Sequence, residues 1–319
     1  MQNTIKKNRK ALSVIAKPFH MAGACYTLLF GAVIFTAATF AAPPELRIPR
    51  PDTEHNVSYD YYAQLLRKVL EKGAAGREVP VLKETLLMEQ ERRVYELLRG
   101  DTVDIDWLGS DDFKERNLRV IPIPVEGGLM GYRRFIVRKE MVQEFDEVKT
   151  LDDLKKFTAC QSTHWPDYKI LTAAGLKVTG GVGYENQFKQ VAAHRCDYFP
   201  RGYHEIATEL ELYQEKYPTL TGYEGIILHY PFTVYFFVNK KNEDLAKWLE
   251  SGLEKMIDDG DLIAHMRQHP LTAHVFLTKM SADVRVIEIP NPLLLETTNY
   301  KNSRYWFQAE DVVEGTFSK

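Results

Sequence analysis

The positions of apolar and polar residues along the chain predict alternating strands and helices. Residues 103–108 alternate apolar and polar side chains, the period of a strand with one wetter face. Residues 59–71 repeat apolar side chains every three or four positions, the period of an amphipathic helix. With strands at 46–49 and 79–82 and a helix at 88–98, the order is βαβαβ. This order implies a parallel sheet with right-handed crossovers, and ligands bind beyond the carboxyl ends of such strands.

A second series of elements follows a glycine pair, Gly127-Gly128. Its predicted strands are at 132–137, 158–160, 176–179 and 195–199. One helix is predicted after Thr150, a second begins at Pro166, a third spans 184–193, and a fourth ends near residue 217. Pro122 and Pro124 predict that the segment before this series runs outside any central sheet.

The return of the chain to the first series is predicted by a proline. Residues 226–238 are strongly strand-forming, but Pro231 near their middle interrupts the hydrogen bonds of a sheet. We therefore expect the chain to cross back at 230–233. A helix capped by Asn242 and a last strand at 284–289 follow.

Length and charge narrow the class of protein. A chain of 319 residues predicts two lobes with separate cores. The formal net charge of −3 gives no indication of nucleic-acid binding, which a basic domain would show. Three cysteines exclude a disulfide-dense secreted scaffold. The predicted division is 43–128 and 232–290 for the first lobe, 129–231 for the second and 291–319 for a C-terminal tail.

Residues 1–42 have the features of an export signal. Five basic residues between positions 6 and 17 precede an apolar stretch at 21–40, which ends in small residues at 39–42. This pattern is typical of a secretory signal peptide, with cleavage expected after Ala41 or Ala42. An uncleaved membrane anchor is the alternative, because the apolar run is about as long as a spanning helix. In either case the remaining chain is expected in the periplasm.

Three short strings and the order of elements point to a family. The strings are LRIPRP at 46–51, DYFPRG at 197–202 and HYPFTVYFFV at 229–238. Over residues 45–270 the chain resembles the bacterial periplasmic solute-binding proteins of family 3, which serve polar amino-acid ABC importers. The resemblance implies an α/β, two-lobed type II periplasmic binding protein fold, each lobe a mostly parallel sheet flanked by helices and the two joined by two crossing strands. It also implies a monomer that closes on one small ligand and meets a membrane permease.

The resemblance places binding residues at specific positions. The family's arginine after the third strand, which holds a ligand carboxylate, falls on Arg116. Its polar loop at the start of a second-lobe helix falls on Gln161, Ser162 and Thr163, where a helix N-terminus forms an anion site.

One departure from the family changes the expected ligand. The family's acidic residue for the ligand ammonium falls on Gly202, which Arg201 precedes. An arginine there disfavours an ordinary α-amino acid and favours a ligand with more than one anionic group, unless Asp197 or Glu205 supplies the missing charge.

Further candidates come from the residues themselves. Ser110 lies in the loop after the third strand, and the aromatic rings of Trp107, Trp165 and Tyr198 either stack on a ligand or pack in the core. Cys160 and Cys196 lie on neighbouring predicted strands and form a disulfide or remain two buried thiols.

The sequence thus predicts a periplasmic protein that binds a small polar, anionic or amino-acid-like solute without enzymatic activity. A sensory module acting on a membrane partner is one alternative. The other is a dehydratase on the same fold, with Glu205, His204 or His164 as its acid and base. No cofactor or metal is expected, because His265 and His269 lack a third ligand and are interpreted as surface histidines.

Overall fold

A computed structural model describes residues 44–51, 57–277, 280–281, 283–295 and 298–315. The predicted signal segment, residues 1–42, lies outside the described residues. Among the helices of the described ranges, none combines the length and the apolar character needed to cross a membrane.

The described chain alternates strands and helices much as predicted. The strands are β1 (Glu45–Ile48), β2 (Val81–Glu84), β3 (Ile105–Gly109), β4 (Arg119–Ile121), β5 (Tyr132–Arg138), β6 (Thr158–Ser162), β7 (Lys177–Gly181), β8 (Tyr198–Gly202), β9 (Leu220–His229), β10 (Val234–Val238) and β11 (Arg285–Glu288). The helices are α1 (Val57–Gly73), α2 (Gln90–Arg99), α3 (Asp112–Asn117), α4 (Val142–Asp146), α5 (Leu151–Leu154), α6 (Pro166–Ala173), α7 (Tyr184–Ala192), α8 (Ile206–Tyr213), α9 (Glu243–Asp258), α10 (Asp261–Gln268) and α11 (Ala309–Glu314).

In the described part of the chain the strands form three sheets, one parallel, one antiparallel and one mixed, so the expectation of mostly parallel sheets is not met. One has the order β11-β9-β5-β8-β6-β7, one has the order β3-β10-β4, and β1 pairs with β2 in parallel. In the larger sheet β5 pairs antiparallel with both β8 and β9, whereas β6 pairs parallel with β7 and β8. In the three-stranded sheet β10 runs antiparallel to both neighbours because it returns from the other sheet.

Two predictions at strand boundaries need correction. Residues 119–121 do belong to a sheet, since they form β4, and Pro122 follows the last paired residue, where a missing N–H costs no ladder bond. The strand predicted at 195–199 lies at Tyr198–Gly202, so Arg201 is part of β8 rather than of the loop after it.

Two segments carry the chain between the larger sheets. The first joins β4 to β5 over residues 122–131, and the second joins β9 to β10 over residues 230–233, as Pro231 predicted. The Tyr230 N–H donates to the Gly131 carbonyl at 3.1 Å, and the Val125 N–H donates to the Val234 carbonyl at 3.2 Å. We call these the first and second crossing segments. The two hydrogen bonds connect the first segment to the second segment and to the start of β10.

The predicted helix caps are confirmed. Thr150 and Asp153 form a reciprocal capping box at α5, and the Asn242 side chain accepts from the Leu245 N–H at α9. Each side chain satisfies an N–H that the helix itself leaves unpaired, which is why these sequence signals mark the helix starts.

A disulfide joins Cys160 of β6 to Cys196, which lies just before β8. Their Cα atoms are 5.6 Å apart, within the range that a disulfide spans, and both residues are buried. Of the two alternatives left by the sequence, the structure has the bridged one.

The histidines of α10 are not surface residues. His265 and His269 are buried, and their rings lie 4.7 and 5.3 Å from the ring of Tyr61. His265 also contacts Lys68 Nζ through Nδ1 and the Tyr61 carbonyl through Nε2, so both histidines belong to the core beside α1.

Candidate functional site

A cavity of about 610 Å³ is lined by residues from both of the larger sheets. β3 contributes Trp107 and Gly109, β6 contributes Ser162, and β8 contributes Arg201. Residues of α1, α2, α6, α7 and α8 complete the wall. The volume is that of a site for one small molecule, which proteins typically hold in pockets of about 300–1,000 Å³.

Arg201 lies in the wall as part of a buried ionic network. Its Nε donates to both carboxylate oxygens of Glu209 at 2.9 Å, and its Nη2 donates to Glu205 Oε1 at 2.6 Å. Glu205 Oε2 also accepts from the Gly202 N–H at 2.9 Å. Burial lowers the pKa of Arg201, but the charges of Glu205 and Glu209 more than offset that effect and raise it well above its ordinary value. The guanidinium is therefore a fixed cation with two carboxylate partners.

Aromatic rings surround the same guanidinium. The Cζ atom of Arg201 lies 5.2 Å from the ring centre of Trp165, 5.4 Å from Tyr184 and 5.1 Å from Phe199. Rings at these distances attract a cation through their negative faces. They also hold the side chain in one position, so this part of the wall is rigid.

Arg133 of β5 is a second buried guanidinium, and its set of partners is incomplete. Its side chain is 2% exposed, and Nη2 meets Asp167 Oδ1 at 2.6 Å. Among the described residues, Nη1 contacts the Met130 sulfur at 3.4 Å and Glu205 Oε2 at 3.9 Å, and Nε has no hydrogen-bond partner. The Cζ atom lies 5.4 Å from the ring centres of both Tyr230 and Phe232. A buried guanidinium with unused N–H groups can donate to a further anionic or carbonyl oxygen.

Arg93 of α2 is the third guanidinium of the wall. Its Nε donates to Asp106 Oδ2 at 2.9 Å, and the other oxygen of Asp106 accepts from the Trp107 N–H at 2.8 Å. Burial raises the pKa of Asp106, and the positive charge of Arg93 opposes this rise. This pair positions Trp107, whose ring lines the cavity.

Glu126 is buried and connects the two crossing segments. Its Oε1 accepts from Thr233 Oγ1 and from the Val234 N–H, both at 2.9 Å, while Oε2 has no hydrogen-bond partner in the described part of the chain. Burial raises the pKa of Glu126 to about 8, so the residue is mostly protonated at neutral pH. It therefore adds little charge to the site.

Carboxylates outnumber guanidinium groups in the cavity wall. The acidic residues of the wall are Glu89, Asp167, Glu205, Glu209, Glu211 and Glu215, and the arginines are Arg93, Arg133 and Arg201. Each of the three arginines already pairs with a carboxylate. Glu89, Glu211 and Glu215 are exposed, so the excess negative charge faces the entrance.

The structure brings only some of the predicted site residues together. Trp107, Ser162, Trp165 and Arg201 line the cavity. Glu205, suggested as a substitute for the missing acidic residue, lines it too, whereas Asp197 instead pairs with Arg138 at 3.4 Å.

Arg116 does not reach the cavity. The α3 helix is six residues long, its buried side chain is Lys114, and Arg116 is exposed. The short helix turns Arg116 toward solvent, so the arginine that the family resemblance assigned to a ligand carboxylate lies outside the cavity wall.

The other predicted positions also lie outside the wall. Ser110 donates to Glu115, Gln161 is buried, and Thr163 is exposed. Tyr198 packs in the core, 4.6 Å from the ring of Phe135, which is the alternative that the sequence had left open.

The suggested acid and base do not form a pair. His204 is buried and does not line the cavity, and neither ring nitrogen has a hydrogen-bond partner within the ranges that the structure describes. Burial lowers its pKa well below the ordinary value. His164 lies at the rim, with Nδ1 3.3 Å from Glu91 Oε2, and Glu205 is held by Arg201.

Sequence reasoning missed several residues of the wall, above all Arg93, Arg133, Tyr184 and Glu209. Arg133 gave little signal, because β5 reads YRRFIVR and the sequence alone does not show which of its three arginines lines a cavity. Glu209 lies eight residues after Arg201, and only the turn between β8 and α8 brings them together.

Sequence comparisons identify no relative. No protein-family model matches the chain, and a comparison with curated proteins gives no match.

Solved structures do resemble it. An ancestral arginine-binding protein bound to arginine has a TM-score of 0.51 at 16% identity, over 70% of this chain and 97% of that chain. An arginine-specific periplasmic binding protein of Salmonella typhimurium has a TM-score of 0.52 at 13% identity, over 71% of this chain and 99% of that chain. A histidine kinase sensor domain with similarity to periplasmic binding proteins has a TM-score of 0.52 at 13% identity, over 71% of this chain and 95% of that chain.

The chain has the two-lobed α/β fold of the periplasmic binding proteins. Its structural neighbours are solute-binding proteins of the family 3 type, as the sequence resemblance implied, and one is a sensor domain. At these identities the likeness is one of fold.

Proposed function

We propose that this protein is a periplasmic solute-binding protein, exported by its N-terminal segment, that delivers one small amino-acid-like solute to an ABC-type membrane permease. The observation that carries the proposal is the cavity of about 610 Å³, whose wall combines rigid aromatic rings with charged groups from both larger sheets. Neighbours of the same fold bind amino acids, and they are binding proteins rather than enzymes. We propose that the protein acts as a monomer without catalysis.

The charges of the wall favour a solute with a cationic group. The preference for an anionic solute rested on Arg116 as the carboxylate-binding arginine and on Arg201 beside the position of the family's acidic residue. Arg116 is exposed, and Arg201 has Glu205 and Glu209 as partners. The remaining excess of carboxylates attracts a cationic nitrogen, and the aromatic residues Trp107 and Tyr62 line the same cavity.

Arg133 supports the amino-acid-like character of the solute. It lines the cavity and is almost fully buried, and its Nε has no hydrogen-bond partner among the described residues. A solute carboxylate would satisfy this donor through a charge-assisted hydrogen bond. We therefore propose a zwitterionic solute, with its carboxylate at Arg133 and a cationic end toward the acidic rim.

Isothermal titration calorimetry on the purified protein tests the proposal. L-arginine carries both groups, agmatine is the same molecule without its carboxylate, and succinate has carboxylates alone. We expect L-arginine to bind, agmatine to bind at least about tenfold more weakly for the lost charged hydrogen bond, and succinate not to bind.

Two variants separate the roles of the arginines. Arg133→Lys keeps a cation beside Asp167 but loses the planar fork, so we expect weaker binding of L-arginine and little change for agmatine. Arg116→Gln, on the exposed face of α3, should change neither. Tight binding of succinate with none of L-arginine would contradict the proposed solute class.

One neighbour favours a second candidate function. The histidine kinase sensor domain has the same fold, so this chain is also a candidate for a sensory module that contacts a membrane receptor. Crosslinking in native membranes followed by mass spectrometry distinguishes the two. A permease among the products supports delivery, and a receptor without a permease supports sensing.

A further inference from the structure

The chain continues past β11 along both crossing segments. We call residues 289–295 and 298–307 the C-terminal strap. It begins beside the six-stranded sheet, where the Ile289 N–H donates to the His229 carbonyl at 2.9 Å. The structural neighbours are matched over nearly their whole length, yet they leave about 30% of this chain unmatched, more than residues 1–43 account for.

The strap is hydrogen-bonded to the second crossing segment. The Asn291 side-chain amide donates from Nδ2 to the Pro231 carbonyl at 2.8 Å. Its Oδ1 accepts from the Leu293 N–H at 2.9 Å, which holds the amide in this orientation. Pro231 lies where the chain leaves β9 for β10, so Asn291 stabilises the backbone at that change of sheet.

The strap also contacts the first crossing segment. The Phe307 N–H donates to the Gly127 carbonyl at 2.8 Å. Gly127 and Gly128 have φ angles of 62° and 80°, and the rings of Phe307 and Trp306 occupy the space where a Cβ at each glycine would lie. A conformation that favours glycine is thus covered by two aromatic rings.

The far end of the strap is attached to α9, which packs on α1 beside the three-stranded sheet. Arg304 Nη2 lies 2.7 Å from Glu254 and 2.8 Å from Asp258, and the Tyr305 hydroxyl donates to Glu254 at 2.7 Å. The strap therefore runs from elements of one sheet to elements of the other, over both connections between them.

We propose that the C-terminal strap positions the two crossing segments and thereby slows release of the solute; this rests on the proposed function. Closure in two-lobed binding proteins occurs by backbone rotation at a few hinge residues. The strap bonds to both crossing segments in an arrangement where His164 and Glu91 meet at the cavity rim. It stabilises this arrangement, and any opening must break or displace its bonds.

The first test needs no ligand. Hydrogen–deuterium exchange is measured on wild type, Asn291→Ala, Arg304→Ala and the control Arg77→Ala, which removes another exposed ion pair to α9, with Asp244 at 2.7 Å. Neither strap residue lines the cavity. We expect exchange in residues 127–131 and 230–233 to rise about tenfold in the strap variants and to stay unchanged in the control. Unchanged exchange in both strap variants overturns the proposal.

The second test measures release. With L-arginine as probe, we expect dissociation about three- to tenfold faster in Asn291→Ala and Arg304→Ala, with melting temperatures equal to that of Arg77→Ala. Equal release rates in all four proteins overturn the positioning role. If wild type does not bind L-arginine while the strap variants still show faster exchange, the proposed solute fails, and the strap remains the structure that holds the crossing segments.

Discussion

Arg201 of β8 and Glu209 of α8 form a buried pair with three hydrogen-bond contacts, two of 2.9 Å from Nε and one of 2.6 Å from Nη2. The pair connects a strand to the helix that follows it, at the wall of the cavity. Its guanidinium lies against three aromatic rings, and Glu205 adds a second carboxylate. The pair is therefore part of the structure of the wall before any solute enters.

Replacing Arg201 by methionine should strongly destabilise the fold. Glu205 and Glu209 would remain buried without their cation, and breaking a buried pair typically costs about 3–5 kcal/mol. Chemical denaturation should show a free energy of unfolding lower by about that amount. The control Lys83→Met, which removes an exposed pair with Glu45, should cost less than about 1 kcal/mol.

The double variant Arg201→Met, Glu209→Gln checks the cause. Because it removes the cation together with one unpaired charge, it should be more stable than Arg201→Met alone. Equal stability of the single and double variants would show that the cost comes from packing rather than from charge.

The buried carboxyl of Glu126 should give the protein a stability that falls with rising pH. Its pKa is raised to about 8 in the folded protein by burial, whereas an exposed glutamate ionises near 4.5. Between these values the folded state binds more protons than the unfolded state, so the contribution is complete below about pH 4.5 and is lost as pH rises through about 8.

The variant Glu126→Gln removes this dependence, because an amide imitates the protonated acid and can still accept from Thr233 and Val234. Denaturation is measured at several pH values. Between pH 5 and 8, the free energy of unfolding of the variant should increase relative to that of wild type by up to about 1.4 kcal/mol per pH unit. Parallel stability curves for the two proteins would mean that Glu126 is ionised in the fold.

The elements were more predictable from sequence than the site. Pro231 marked the second crossing segment and Asn242 marked the start of α9, because a missing N–H and a capping side chain act on the local backbone. The direction of the Arg116 side chain depends instead on which face of the short α3 packs inward, and that is decided by distant residues. The role of Arg133 could not be predicted from β5 alone, because its partners Asp167 and Glu205 come from later in the chain.

The disulfide between Cys160 and Cys196 should contribute substantially to stability. The bridge closes a loop with a sequence separation of 36 residues, for which the chain-entropy relation gives about 4 kcal/mol, within a usual range of about 2–4 kcal/mol. The variant Cys160→Ala, Cys196→Ala should lose about that much in denaturation experiments. A reducing agent should lower the stability of wild type toward that of the variant and leave the variant unchanged. Insensitivity of wild type to the reductant would indicate two free thiols.

The acidic rim of the cavity should speed the approach of a cationic solute. Glu211 and Glu215 are exposed at the rim. Exposed charges of one sign raise the association rate of an oppositely charged ligand at low ionic strength. Stopped-flow measurements on Glu211→Gln, Glu215→Gln should show L-arginine associating about two- to fivefold more slowly than with wild type.

Salt and a matched variant test whether this effect is electrostatic. The Debye length falls to about 3 Å at 1 M salt, so the difference from wild type should disappear there. The variant Glu144→Gln, Glu147→Gln removes the same charge from exposed positions outside the cavity wall and should associate nearly as fast as wild type. If both double variants slow association equally, net charge rather than the rim guides the solute, and the acidic entrance has no specific role in selecting a cation.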